Sequence, residues 1–119
     1  MTILLKRAYE DAAEDDGQRV LVDRLWPRGV SRERAQLALW LKEIAPSTEL
    51  RKWFAHDPAK WQEFQARYKQ ELDDNADVVQ RLVAMVKAGK VTLVYGGRDT
   101  AHKDAVVLKA YLEAVIGDQ

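Results

Sequence analysis

Residues 91–102 read Val91-Thr92-Leu93-Val94-Tyr95-Gly96-Gly97-Arg98-Asp99-Thr100-Ala101-His102, and this stretch decides the fold. Five apolar or β-branched residues make the clearest strand in the chain, and the glycines that follow make a tight turn. A helix over about 101–116 comes next. It carries Val106, Val107, Leu108, Tyr111, Leu112 and Val115 around much of its circumference, which predicts burial, and Gly117 ends it.

Upstream, three more segments read as strands. Residues 2–6 (TILLK) are short, apolar and partly β-branched, and residues 19–23 (RVLVD) have the look of a buried central strand. Residues 38–43 (ALWLKE) are assigned to a third strand because Pro46 follows closely. Ser31 caps a short helix over residues 32–37, after the break made by Pro27 and Gly29. Ser47 caps another helix, which holds Leu50, Trp53 and Phe54, and Asp57-Pro58 restarts the helical run with Asp57 as the cap and Pro58 in the first turn. Trp61, Phe64, Tyr68 and Leu72 then share one helix face, with Lys60, Glu63, Arg67 and Glu71 on the other. A further stripe of Val78, Val79, Leu82, Val83 and Val86 ends at Gly89, a natural helix stop. Crossovers that contain helices favour parallel pairing. The chain therefore reads as α/β: a small, mostly parallel sheet of about four strands flanked by helices, in a single domain over residues 1–119.

Composition narrows the function classes. The 119 residues hold 19 Lys plus Arg against 19 Asp plus Glu, so the whole surface is not a nucleic-acid magnet. There is no cysteine, which excludes disulfides, zinc ribbons, iron–sulfur clusters and thiol nucleophiles. The opening residues lack the apolar core of a signal peptide, and no apolar run approaches a membrane span, so a cytoplasmic protein is expected. The two histidines lie on separate segments without zinc-ligand spacing, so neither a metal nor a cofactor is expected.

In open α/β sheets, ligands bind outside the carboxyl ends of the strands. The second strand runs into Asp23-Arg24-Leu25-Trp26-Pro27-Arg28-Gly29, and the fourth into Gly96-Gly97-Arg98-Asp99 and His102. Both segments supply what a small-molecule site needs. Arg24, Arg28 and Arg98 are the fixed cations, able to grip phosphate or carboxylate with a planar fork. Gly96 and Gly97 bring backbone donors ahead of a helix N-terminus, and Asp23 and Asp99 orient the arginines or the ligand. His102 is the candidate acid–base, with the helix dipole favouring its neutral form. Each has a plainer role open to it: Asp99 as a helix cap, Asp23-Arg24 as an internal ion pair, Arg28 as a solvated side chain. His56 reads as a helix-end residue beside the Asp57 cap, and core packing is the first reading of each of the four tryptophans. The acidic run Glu10, Asp11, Glu14, Asp15 and Asp16 reads as a solvated loop.

Several of these stretches match a known pattern. Residues 20–29 (VLVDRLWPRG), 40–47 (WLKEIAPS) and 50–58 (LRKWFAHDP) resemble the YeaO-like branch of the domain of unknown function 488 family. So do Phe64, Arg67-Tyr68, Glu71-Leu72, Thr92-Leu93-Val94-Tyr95, Asp99 and His102. The resemblance covers nearly the whole chain and implies a compact, bacterial-type, cytoplasmic α/β domain; it carries no function. Many longer relatives have cysteine near the fourth-strand turn and near His102, whereas this chain has none, so thiol chemistry does not carry over. The YeaO-like pattern tends to have Asn after the histidine, where Lys103 stands here.

The leading expectation is a site for an anionic, phosphate-bearing small molecule at the carboxyl ends of the strands. Two others stand beside it. One is a protein- or nucleic-acid-interaction module acting through the basic segment 19–34, which has a local excess of three positive charges; neutrality overall counts against nucleic acid. The other is a homo-oligomer with an aromatic helical interface over residues 50–72. No membrane partner is expected.

Overall fold

A computed structural model describes residues 2–96 and 104–117. The strands are β1 (Ile3–Arg7), β2 (Gln18–Leu21), β3 (Leu39–Trp40) and β4 (Val91–Tyr95). The helices are α1 (Arg32–Ala35), α2 (Thr48–Phe54), α3 (Trp61–Asp73), α4 (Ala76–Ala88) and α5 (Asp104–Gly117). The sheet order is β1-β4-β2-β3 and every pairing is parallel. β4 is therefore internal, aligned with β1 from Ile3–Val91 to Arg7–Tyr95 and with β2 from Gln18–Val91 to Leu21–Val94.

An internal strand with helix-bearing crossovers has to be apolar on both faces. β4 meets that demand: all five of its residues are buried. Val91, Leu93 and Tyr95 point into the main core with Val20, Val22 and Ile3, under the apolar faces of α2 to α5. Val94 joins Leu21, Ala8, Val30 and Ala35 on the other face, where α1 and the neighbouring loops bring Trp26, Leu37 and Trp40 over the sheet. The two tryptophans pack edge to face at 5.5 Å. Their indole N–H groups donate to Val30 O and Asp23 O, each at 2.7 Å, which leaves no polar edge unsatisfied there.

The helical caps are as the sequence implies. Ser31, Ser47 and Asp57 side chains accept from Arg34, Leu50 and Ala59 N–H at 3.0, 3.1 and 3.0 Å. On α3, Phe64, Tyr68 and Leu72 are buried and Trp61 is half-buried. Phe64 stacks on Phe54 of α2 at 4.4 Å, with Trp61 and Tyr68 at 5.6 and 6.0 Å. Each such pair adds roughly 0.5–1.5 kcal/mol beyond its buried area.

Four local readings change. The strand over 38–43 shrinks to Leu39–Trp40, and a 3₁₀ turn over Lys42–Ile44 follows. That turn puts Ile44 in the core and gives its carbonyl to the Tyr68 hydroxyl at 2.7 Å. α1 stops at Ala35 because Gln36 turns left-handed (φ 45°), which lets Ala38 N–H reach Arg19 O at 2.8 Å and start β3. Gly89 follows α4 in an extended conformation (φ 167°) rather than the left-handed one, so its glycine character is not what stops the helix.

The fourth change is chemical. Asp16 does not belong to a solvated acidic loop: it is 4% exposed. Glu10, Asp11, Glu14 and Asp15 are exposed, but the chain turns at Glu14–Asp16 and drives Asp16 onto the sheet. Its carboxylate accepts from Arg19 Nη1 at 2.6 Å, from Lys6 Nζ at 3.2 and 3.3 Å, and from Ala13 N–H at 3.0 Å. Its carbonyl accepts from the Thr92 hydroxyl at 2.7 Å. Burial works to raise the Asp16 pKa, but the bonds from Ala13, Arg19 and Lys6 outweigh it and hold the carboxyl below its ordinary range. Gly17 follows with φ 64°, and a Cβ there would fall 2.3 Å from Lys90 O, so only glycine permits this close approach to the start of β4.

Candidate functional site

Parallel strands deliver their carboxyl ends to one edge of the sheet. Asp23 lies two residues past β2, Gly96 one residue past β4, and α2 passes over the same edge after the Pro46 turn. Between them lies an open cavity of about 470 Å³, lined by Asp23, Leu25, Pro46, Thr48, Arg51, Lys52, Phe54, His56, Phe64 and Asp104.

Two contacts hold α2 at the cavity. At its start, Ser47 N–H and Oγ donate to the Glu71 carboxylate at 2.8 and 2.6 Å, tying the cap to α3. At its end, Phe54 stacks on Phe64. Arg51 and Lys52 occupy the last turn of α2, where cations suit the helix dipole, and both are exposed. Neither has an ion-pair or hydrogen-bond partner for its side chain among the described residues. The chain then passes through Ala55 (φ 48°) and His56 (φ 57°), two successive left-handed residues of which neither is glycine. Such positions cost roughly 1–3 kcal/mol each and persist only where the surroundings impose them. Here the turn sets the imidazole against the cavity, 6.1 Å from the Phe54 ring.

The lining also holds carboxylates. The Asp23 carboxylate accepts from Gly96 N–H at 2.7 Å, and the Asp23 carbonyl is held by Trp40 Nε1. Asp104, the first residue of α5, lines the same cavity. Gly96 is close-packed rather than left-handed: a Cβ would lie 3.3 Å from Asp23 Oδ2 and 3.6 Å from the Pro27 ring. Among the described residues, no group of three or more His, Cys, Asp or Glu side chains is arranged to hold a metal ion.

The residues singled out from the sequence are distributed unevenly around this cavity. Asp23 lines it, and Gly96 sits behind Asp23 with its N–H already engaged. Arg24 turns the other way, donating to Ala45 O at 3.2 Å and Pro46 O at 3.4 Å, and it lines a separate hollow of about 210 Å³ beside Tyr68 and Glu71. The guanidinium thus braces the Pro46 turn. Arg28 is exposed and outside the cavity lining, its carbonyl accepting from the Tyr9 hydroxyl at 3.0 Å. Gly97, Arg98, Asp99 and His102 lie outside the described residues.

Arg51, Lys52, Phe64 and Asp104 are among the lining residues that the strand-end rule does not reach from β2 and β4, and His56 reads from the sequence only as a helix end. Extended to β3, the rule points through Pro46 into α2, where two adjacent cations precede the His56-Asp57 break.

Burial also marks the tyrosines nearby. Burial, with Asp104 and Glu71 adding to it, pushes the Tyr68 hydroxyl well above its usual range, so it remains a neutral donor to Ile44 O. No described helix is long and apolar enough to cross a membrane.

An all-parallel α/β domain with a charged cavity at the carboxyl edge of its sheet defines the class of protein. Within that class, the chain belongs to the family described as the inactive DUF488-N3 subclade, whose model matches residues 2–119. Uncharacterized proteins of Mycobacterium tuberculosis and Mycobacterium bovis are each 42% identical to it over 110 residues, 92% of either chain. The uncharacterized protein YeaO of Escherichia coli is 40% identical over 115 residues, 97% of this chain and all of YeaO. No solved structure gives a significant match.

Proposed function

We propose that this protein binds a small anionic molecule, phosphate-bearing in its simplest form, in the cavity at the carboxyl edge of the sheet. The observation that carries the reading is the pair of exposed cations, Arg51 and Lys52, without side-chain partners among the described residues, lining the cavity together with His56. A guanidinium fork and a mobile ammonium together suit a tetrahedral oxyanion. The volume falls within the roughly 300–1,000 Å³ typical of small-molecule sites, and Phe54, Phe64 and Leu25 offer apolar surface for the rest of the ligand. The cation set thus moves from Arg24 and Arg28 to α2, while Arg98, outside the described residues, remains part of the proposal. Binding without turnover agrees with the description of the family as inactive. A cytoplasmic location belongs to the same reading, supported by the absence of cysteine.

The interaction module over residues 19–34 has less support. Arg19 is buried against Asp16 and Arg24 is bound to carbonyls, so two of the five arginines are committed within the fold, and the exposed Arg34 lies 3.7 Å from Asp11. Three of the five aromatic residues of 50–72 are committed inward, since Phe54, Phe64 and Tyr68 are each at most 5% exposed, whereas Trp53 and Trp61 are partly buried.

Thermal unfolding with inorganic phosphate and aryl phosphates tests the reading. A ligand at about ten times its Kd stabilises by about 1.4 kcal/mol, a shift of several degrees. The shift is expected to vanish in the Arg51→Ala/Lys52→Ala variant and to shrink in Arg98→Ala. No shift with any of these anions at millimolar concentration overturns the proposal.

A further inference from the structure

The two edges of the sheet are built differently. The order β1-β4-β2-β3 leaves β1 and β3 at the ends. β3 is only Leu39–Trp40, and it runs into a 3₁₀ turn that begins with the exposed Lys42. A short strand beside a charge is a common way of closing an edge to further pairing. β1 has five residues, Ile3-Leu4-Leu5-Lys6-Arg7, in unbroken register with β4 and without proline. The charges that would guard this edge are turned aside, Lys6 to Asp16 at 3.2 Å and Arg7 over the Tyr9 ring at 5.2 Å.

Alternation fixes which backbone groups face outward. Thr2 O accepts from Val91 N–H, and Ala8 N–H donates to Tyr95 O, so the even-numbered residues turn their backbone groups to β4. The N–H and C=O of Ile3 and Leu5 therefore point away from the sheet, and among the described residues no strand pairs with that side. The Ile3 and Leu5 side chains lie against the main core. Leu4, 36% exposed, shares the other face with Lys6.

We infer that β1 is a dimerisation edge, pairing antiparallel with β1 of a second copy about a two-fold axis through Leu5. The strand's own sequence selects that partner. With the axis at Leu5, the two Leu5 residues exchange both N–H···O=C bonds, using the groups that point outward. Leu4 lies opposite Lys6 of the second copy and Ile3 opposite Arg7, so no like charges face each other, and the Lys6 stem covers the exposed Leu4. Moving the axis to Lys6 sets two ammonium groups opposite each other, and moving it to Leu4 runs Arg7 past the start of the other strand. The strand is thus complementary to itself in one register. The axis is perpendicular to the sheet, so the two sheets join into one of twice the width, with α2 to α5 of both copies on the same side.

A five-residue edge buries less than a standard interface, so the dimer is a weak one. Sedimentation of the full chain from about 1 µM to about 1 mM should show monomer passing to dimer. Residue-resolved hydrogen exchange reads the register: the Leu5 amide should become protected as the dimer forms, whereas the Leu4 and Lys6 amides, bonded to β4, are protected throughout. Leu4→Lys sets a lysine opposite Lys6 at two symmetry-related points and should weaken the dimer at least about tenfold, whereas Leu4→Glu makes those contacts attractive and should preserve it. Position 4 is exposed, and melting curves check that both variants fold. A chain that stays monomeric to about 1 mM, a dimer whose Leu5 amide exchanges as in the monomer, or one indifferent to the sign of the charge at position 4 overturns the inference.

Discussion

Asp16→Asn should destabilise the protein far more than an isosteric change in an acidic loop ordinarily would. The carboxylate takes hydrogen bonds from three donor groups, Arg19, Lys6 and the Ala13 N–H. Asparagine keeps one acceptor oxygen and loses the charge. The Lys6 side chain is 20% exposed and water can replace its lost partner, so its share is about 1 kcal/mol or less. The Arg19 side chain is 3% exposed, and its second terminal nitrogen already has no hydrogen-bond partner. Only the bond from its Nε to Ala35 O, at 2.8 Å, would remain beside a weakened contact to residue 16. Removing one member of a buried ion pair costs roughly 3–5 kcal/mol, and the surviving Ala35 bond places this case near the lower end, about 3 kcal/mol. A domain of ordinary stability holds only about 5–15 kcal/mol in total. Urea denaturation at pH 7 should show a lower midpoint with an unchanged m-value, and the melting temperature should drop on the order of 10 °C. The double variant Asp16→Asn/Arg19→Met should be more stable than Asp16→Asn alone, because it removes the stranded charge. A single variant within about 0.5 kcal/mol of the parent, or a double variant no better than the single, refutes the reasoning.

The same carboxyl has a pH signature. Its folded-state pKa is depressed, so its stabilisation is full above the unfolded value of about 3.9 and is lost as pH falls through the folded value. The stability gap between parent and Asp16→Asn should therefore close in acid unfolding below about pH 4, and a gap that stays constant to pH 2 contradicts it. At the alkaline end, burial and the hydrogen bond to Asp73 push the Tyr111 hydroxyl up to about 12. Its stabilisation is present below about pH 10 and is lost as pH rises toward 12, so Tyr111→Phe should flatten the fall in stability over that window, as followed by denaturant midpoints. Phe64→Ala should cost about 3–5 kcal/mol, since Phe64 is 3% exposed and stacked between Phe54 and Trp61; a calorimetric loss below about 1 kcal/mol would mean the aromatic stack is not structural.

Some of this molecule is legible from spacing alone. β4 and α3 announce themselves because a short run of β-branched and apolar residues and a three-four-four repeat each fit one element. Ser31, Ser47 and Asp57 cap as read because capping is a local matter of one side chain and the next three residues. Asp16 was illegible for the opposite reason. A charge run is read as an average, whereas one member was selected by Lys6 on β1 and Arg19 on β2, neighbours that exist only after the sheet forms. Arg24 misleads in the same way, since its carbonyl partners are created by the 3₁₀ turn that shortens β3. The cations on α2 could be read as residues but not as a wall, because Glu71 and Phe64, which hold that helix in place, lie on the next one.

The sheet order has a consequence for how the chain assembles. β1 and β2 do not touch: each pairs with β4, the last strand of the four to appear along the chain. Leu21 must find Val94, and Ile3 must find Val91, before β1 and β2 belong to one sheet. Contacts of such long sequence separation demand loop closure before they return any stabilisation, which slows folding. β2 can meet β3 as the chain emerges, but β1 cannot join that pair. It waits for residues 91–95, whose insertion links β1 to the β2–β3 pair and completes the sheet.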